Sequence, residues 1–494
     1  MIVQRLKLCC RCETVKLTKR FLTNVSPNVE ILSDLLGVST ETAKHYVSEY
    51  KLHYRDGDNI INNIRFCQNL GFSNESILKT KHLLSSRPVE LEGHFMAMQE
   101  GGFHDIGPKT LAKARTLMKR RISFLKSEKF IHKTTNVPKY LISYIEDKNI
   151  AAKIPEDYSD EEIWNVIQSK IIQTYLRLRL GATEDDIIKL FRIHKIIKNK
   201  SLRFIQENIR LAEDLGFEHR RILKYGYILH SFPAYTQTTL TDLSNLAGAN
   251  MRQAMLSYPK LFMTDPKNII KIYGILKEFD IPDEIIRKQM NIFHMSPETV
   301  KLRLQEIEKS PDLKVLFSHP RILKLIVHHN RTKSRLSFLQ QLQLRCATLS
   351  ILKTDQNDEF EEYIKEGKDV NKLNDLICFL KDLFSLDEKS LKKMIKLHPF
   401  HLQVPLKDMK DTFDYLREQK FKKTSIYKVL YILLYPKEKV RNILTMIRYN
   451  KDIKFNSLSE INKLNLILYF IEKEHHFTGN GIWRKCDEPK QTVD

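Results

Sequence analysis

Glycine and proline are both scarce in this chain, at 15 and 16 of 494 residues. So little turn chemistry argues against a β-sandwich or barrel, whose many short strands need frequent punctuation. No window reaches the ~18 consecutive apolar residues of a membrane helix. The most apolar stretch, Ile426–Tyr435, is stopped by Pro436 and reads as a buried helix. Cysteine is also sparse: Cys9, Cys10 and Cys12 crowd the N-terminus, while Cys67, Cys346, Cys378 and Cys486 are scattered. That spacing supplies neither a four-ligand zinc cluster nor a secreted disulfide framework. Missing too are Gly-x-x-x-x-Gly-Lys-Ser/Thr, Gly-x-Gly-x-x-Gly, His-Glu-x-x-His and Gly-x-Ser-x-Gly, so no enzyme signature, metal site or cofactor is expected. The adjacent pairs His328-His329 and His475-His476 would point about 100° apart on a helix and suit a metal poorly.

What the chain has in excess is positive charge. Lys and Arg number 82 against 60 Asp and Glu, a formal net charge of +22. Such an excess suits a polyanion partner, because counterion release drives basic surfaces onto nucleic acid; a solvated lysine-rich surface is the bland alternative. The segment 1–27 holds Arg5, Lys7, Arg11, Lys16, Lys19 and Arg20 against one acid, Glu13. Basic, acid-poor and with interspersed leucines, it reads as a mitochondrial presequence.

Self-similarity is the most informative feature. Leu70-Gly71-Phe72-Ser73-Asn74-Glu75-Ser76-Ile77-Leu78-Lys79 matches Leu215-Gly216-Phe217-Glu218-His219-Arg220-Arg221-Ile222-Leu223-Lys224 at six of ten positions. Each glycine is followed seventeen residues later by a proline, Pro88 or Pro233, and Asp280 keeps that distance to Pro297. Leu180-Gly181-Ala182-Thr183 and Leu36-Gly37-Val38-Ser39 begin in the same way. Tyr258-Pro259-Lys260-Leu261-Phe262, His319-Pro320-Arg321-Ile322-Leu323, His398-Pro399 and Tyr435-Pro436 keep a second element, x-x-Pro-x-Leu-Leu. In each unit a break at Leu-Gly-Phe precedes a polar capping residue (Ser73, Thr183, Asp283), then a helix with apolar residues at helical spacing, ended by the proline. One such unit cannot bury its apolar face alone, so neighbours must stack. The expected fold is an all-α superhelical solenoid, of either hand, with repeats of about 34 residues.

Trp, Ala and Tyr landmarks of tetratricopeptide repeats and the Thr-Pro-Leu-His of ankyrin repeats are absent. The pattern Leu-Gly-Phe/Val/Ala-Ser/Thr … Ile-Leu/Ile … Pro-x-Leu-Leu instead resembles the repeats of the mitochondrial transcription termination factor (mTERF) family, from about Leu36 to about Ile471. The run from Tyr469 to Trp483 further resembles the ending of that family's insect branch. Expected boundaries are a superhelix over 28–476, divided into repeats 28–145, a candidate loop 146–162 and repeats 163–476 with an acidic loop 354–369, then a polar tail 477–494.

The resemblance implies a monomer in the mitochondrial matrix nucleoid whose basic concave side holds double-stranded DNA and modulates transcription termination. Other family members bind ribosomal RNA, and a scaffold role, with another mTERF-family protein or a methyltransferase as partner, is the alternative. The family has no fixed contact motif to carry over. Binding candidates therefore come from the repeat register, where Lys79, Lys189, Lys224 and Lys288 recur, and from basic clusters: Lys198, Arg203, Arg220, Arg221, Arg331, Arg335, Lys392, Lys396 and Lys423. Lysines meet phosphates, whereas arginine forks can also read guanine edges.

Overall fold

A computed structural model describes residues 26–353, 357–367, 369–450 and 454–474. The presequence reading for 1–25, the His475-His476 pair, the run past Glu474 and the tail 477–494 lie outside the described residues. Among those described there are 31 α-helices, seven short 3-10 helices and one hairpin of two-residue strands, Asn245–Leu246 with Ala249–Asn250. The chain is all-α, and no described helix is long and apolar enough to cross a membrane.

The Leu-Gly-Phe motif closes a helix before it opens one. Helix Gly57–Asn69 ends with Gly71 in the left-handed region at φ +84°. The Phe72 amide then reaches back to the Cys67 carbonyl at 3.1 Å, and the Gly71 amide to Gln68 at 2.9 Å. These are the two bonds of a glycine C-cap, with Phe72 as its apolar lock. Helix Leu202–Asp214 ends identically, through Gly216 at φ +92° and a bond from Phe217 to Ala212. Where glycine is missing the geometry survives: Asp280, Gln343, Ser385 and Lys420 all take positive φ, and Ile281, Leu344 and Phe421 make the same backward bond. An L-residue there costs roughly 1–2 kcal/mol, so the surrounding packing must hold the turn. Near Gly248 the turn is a small hairpin instead, with Ala247 and Gly248 both at positive φ and Arg287 donating to the Ala247 carbonyl at 3.1 Å.

Between the cap and the next proline the structure differs from a single helix. The segment after Gly216 is a short helix, His219–Lys224, then a 3-10 helix, Gly226–His230. The corresponding pairs are Asp283–Arg287 with Met290–His294, and Lys423–Lys428 with Leu430–Leu434. The joint is Tyr225, Gln289 or Val429, with φ between −103° and −145° and ψ near +50°. The central aliphatic residue of each 3-10 helix (Ile228, Ile292, Ile432) has no exposed surface. Apolar spacing does not reveal this change of pitch, because both helix types bury the same residues.

Prolines start helices here. Pro88 and Pro297 are first residues of the thirteen-residue helices Pro88–Glu100 and Pro297–Lys309, where a missing N–H costs nothing. Pro259 instead begins the 3-10 helix Pro259–Met263, and Pro436 caps helix Lys437–Tyr449. Pro436 thus belongs with Pro88, Pro233 and Pro297, not with Pro259. Of the expected caps, Ser73 and Thr183 accept their helix amides, at 3.3 and 3.2 Å. Asp283 does not: Pro282 occupies the cap, and its carboxylate faces Lys277 at 2.6 Å.

A second periodic device is invisible to hydrophobic patterning. On the buried face of the long helices a polar side chain binds the carbonyls that end the following segment. Asn63 donates to Ser86 at 2.7 Å, and Asn208 to Ser231 at 2.9 Å. Asn28 donates to Leu52 and Arg55, and Thr412 to Tyr435 at 2.9 Å. These donors satisfy carbonyls at buried and part-buried segment ends.

Two compact units divide at Phe232/Pro233, rather than at the polar stretch 146–162. That stretch lies inside the first unit because contacts span it. Trp164 is fully buried, its indole N–H donating to the Gly101 carbonyl at 3.2 Å. Gln206 grips the Tyr144 carbonyl and the Glu146 amide. The expected acidic loop 354–369 contains a helix, Asn357–Glu366. Its charges face outward, while Tyr363 is buried and donates to the Cys346 carbonyl at 3.2 Å.

Candidate nucleic-acid interface

In several cycles the helix after the left-handed turn presents an exposed side chain eight residues past that turn, whereas the same count from Gln343 reaches the buried Ile351. Counting from Gly71, Gly181, Gly216 and Asp280 places Lys79, Lys189, Lys224 and Lys288 there, and all four are exposed. The same count from Ser385 and Lys420 reaches Lys393 and Lys428, also exposed, and from Gly37 it reaches His45. Neither Lys393 nor Lys428 is reached by counting from a glycine, because residues 385 and 420 are not glycine. Their signal is the left-handed turn itself. In the first unit the register therefore reads His45, Lys79, Lys189, Lys224, and in the second Lys288, Lys393, Lys428.

Local structure gives this position a cation for its own reasons. Lys79 and Lys288 cap the C-termini of their short helices, and Lys224 and Lys428 are last residues. The free carbonyls and negative dipole end of a helix favour a positive charge. Lys189 differs, lying inside the longer helix Glu184–Ile193. Lys79 also pairs with Glu75 at 2.5 Å, which holds that carboxyl below its ordinary range. The Lys224 ammonium lies 5.6 Å from the Tyr225 ring centre. Lys189, Lys288, Lys393 and Lys428 make no ion pair with a described residue, so their charge is available to an external anion.

The basic clusters separate into surface and interior. Lys198, Arg220, Arg331, Lys396 and Lys423 are exposed. Arg221 is half-buried with its guanidinium 4.6 Å from the Phe217 ring centre, and Lys392 pairs with Glu388 at 3.1 Å. Two candidates serve the interior instead. Arg335 is 5% exposed, donates to the Ile351 carbonyl at 2.8 Å and lies 4.6 Å from the Phe360 ring centre. Arg203 gives Nε–H to Glu100 at 2.9 Å and Nη2–H to Gln99 at 2.8 Å. Charge density along the sequence does not tell which face of a helix a guanidinium takes.

Glu100 organises that corner of the first unit. Its fully buried carboxylate accepts from the Ser201 hydroxyl at 2.5 Å, the Leu202 amide at 2.7 Å and the Arg203 amide at 3.2 Å, as well as from Arg203 Nε. It caps helix Leu202–Asp214 from another helix, while Ser201 caps the Phe204 amide. Burial raises the Glu100 carboxyl, and the Ser201, Arg203 and Leu202 donors act against that rise.

These features define an all-α protein of recurring capped helices with a periodic exposed cation. Its sequence is 28% identical over 425 residues, 84% of this chain and 76% of the relative, to transcription termination factor 5, mitochondrial, of Drosophila melanogaster. The chain is therefore similar, over most of its length, to a mitochondrial transcription termination factor of an insect. No protein-family model and no solved structure matches.

Proposed function

We propose that this protein regulates transcription termination in mitochondria by binding double-stranded DNA, its repeats of about 34 residues forming a solenoid whose basic face follows the phosphate backbone. The observation that carries the reading is the lysine register, in which exposed lysines recur at the same point of several structural cycles in each unit. A net charge of +22 and a relative named as a mitochondrial transcription termination factor support the same reading. Lysines spaced along a surface supply affinity and position rather than base identity, so sequence choice would rest on groups such as Arg220 and Arg331.

The test is affinity for mitochondrial DNA fragments, ribosomal RNA and an unrelated duplex across a salt series. Replacing Lys189, Lys224, Lys288, Lys393 and Lys428 by Glu should abolish submicromolar DNA binding. Single Lys→Met changes should each lower the salt slope by about one. Unchanged affinity in the five-fold variant would remove the register as the binding face. Preference for ribosomal RNA over DNA would transfer the function to that partner.

A further inference from the structure

A second basic feature of the first unit lies outside the lysine register. Helix Pro88–Glu100 starts after Arg87 and carries Glu90 and His94 one turn apart. One oxygen of Glu90 accepts from both Arg87 Nη2 and Arg115 Nη2, each at 2.8 Å. Arg87 and Arg115 remain mostly exposed, whereas Glu90 is largely covered. Beside them, Gly93 leaves space for Lys200, whose Nζ lies 3.9 Å from the position a Cβ at residue 93 would take. The Lys200 backbone is pinned: its amide donates to Ile197 at 3.1 Å and its carbonyl accepts from Gln168 at 3.1 Å. Lys200 is half-buried, yet its ammonium makes no hydrogen bond or ion pair with a described residue.

Two imidazoles complete the cluster. His94 is half-buried and feels the charges of Arg115, Glu90 and Lys200. His230, at the end of its 3-10 helix, feels Lys200 and shares a 3.4 Å contact with His194. Burial, reinforced by these neighbouring cations, pushes both imidazoles down to about 4 and the Lys200 ammonium below its ordinary value. Two guanidinium groups and the Lys200 amine therefore lie near the Glu90 carboxylate. Each guanidinium commits one N–H to Glu90 and is otherwise mostly exposed, and the half-covered ammonium has no hydrogen bond or ion pair with a described residue. Tetrahedral oxyanions match such a set of forked and point donors.

We propose that Arg87, Arg115 and Lys200 form a seat for one phosphoryl group, with Glu90 orienting the two guanidinium groups. The phosphoryl group can come from a nucleic-acid backbone or from a free phosphate. The seat does not depend on the DNA-binding reading, because inorganic phosphate alone probes it.

The experiment compares the full chain with Lys200→Met, Arg115→Gln and the control Lys113→Met, an exposed lysine nearby. Melting is followed in inorganic phosphate and in chloride at equal ionic strength. Wild type and Lys113→Met should melt higher in phosphate, with Lys200→Met and Arg115→Gln losing that difference. Arg115→Gln changes an exposed side chain and guards against misfolding of the buried variant. Retention of the full phosphate shift by both seat variants would overturn the proposal, as would its absence in wild type. A duplex-binding arm then distinguishes the sources. A five- to tenfold weaker affinity for Lys200→Met, with a salt slope lower by about one, identifies a backbone phosphate. Unchanged duplex affinity with a lost phosphate shift identifies a free one. Failure of wild type to bind any duplex would defeat the DNA-binding reading and leave the phosphate result standing.

Discussion

Glu100→Ala tests how the first unit is held together. The substitution leaves the Leu202 and Arg203 amides without an acceptor and removes the charged partner of the Arg203 guanidinium, which is only one-third exposed and keeps its bond to Gln99. Unsatisfied buried donors cost about 1–3 kcal/mol each, and breaking a buried charged pair about 3–5 kcal/mol. These losses overlap, so about 4 kcal/mol is expected in total rather than their sum. Glu100→Gln keeps the shape and one acceptor oxygen. Its amide nitrogen must then face the Arg203 or Ser201 donors, for a cost of about 1–2 kcal/mol. Trp164 is a built-in reporter, since its indole is bonded to Gly101, the residue after Glu100. In a Trp483→Phe background, urea unfolding followed by Trp164 fluorescence isolates this corner. Equal costs for Ala and Gln, or an Ala cost below 1 kcal/mol, would refute the view that Glu100 caps helix Leu202–Asp214 across the unit.

The remaining expectations concern caps, packing and pH. A Cβ at Gly71 would meet nothing within 4 Å, so Gly71→Ala should cost about 1 kcal/mol through its positive φ alone. Lys420→Gly at the equivalent turn should be stabilising or neutral; both are read from urea midpoints. A Cβ at Gly101 would lie 2.0 Å from the Trp164 ring, so Gly101→Ala should cost at least about 3 kcal/mol and red-shift Trp164 emission. His398 is buried, its Nδ1 accepts from the Phe400 amide at 3.2 Å, and burial, with the His401 charge, lowers its pKa to about 4. The unfolded chain takes up that proton first, near the ordinary value of 6.5. Stability is therefore intact above pH 6.5 and falls as pH drops toward 4, by up to about 3 kcal/mol. His398→Asn retains an acceptor without titrating and should reduce the pH dependence of the urea midpoint across that interval by about one proton.

Much of this architecture is readable from sequence because its local rules repeat. Scarce glycine and proline set the all-α class. The glycines at 71, 181 and 216 fix left-handed turns by the absence of a Cβ, and the seventeen-residue step from Gly71, Gly216 and Asp280 to a proline marks the next long helix. Lys79, Lys189, Lys224 and Lys288 follow by counting. Tertiary structure alone decided the rest. Asp280, Gln343, Ser385 and Lys420 adopt a strained turn that no local propensity favours, since packing on both sides outweighs a cost of about 1–2 kcal/mol. Lys393 and Lys428 enter the register only through those turns. Arg203 and Arg335 turn inward because buried carboxylate and carbonyl oxygens, brought near by folding, offer more than solvent does. A sequence carries the spacing of charges along the chain. Which of them meet an internal acceptor and which stay free for a phosphate depends on distances that exist only after the helices have packed.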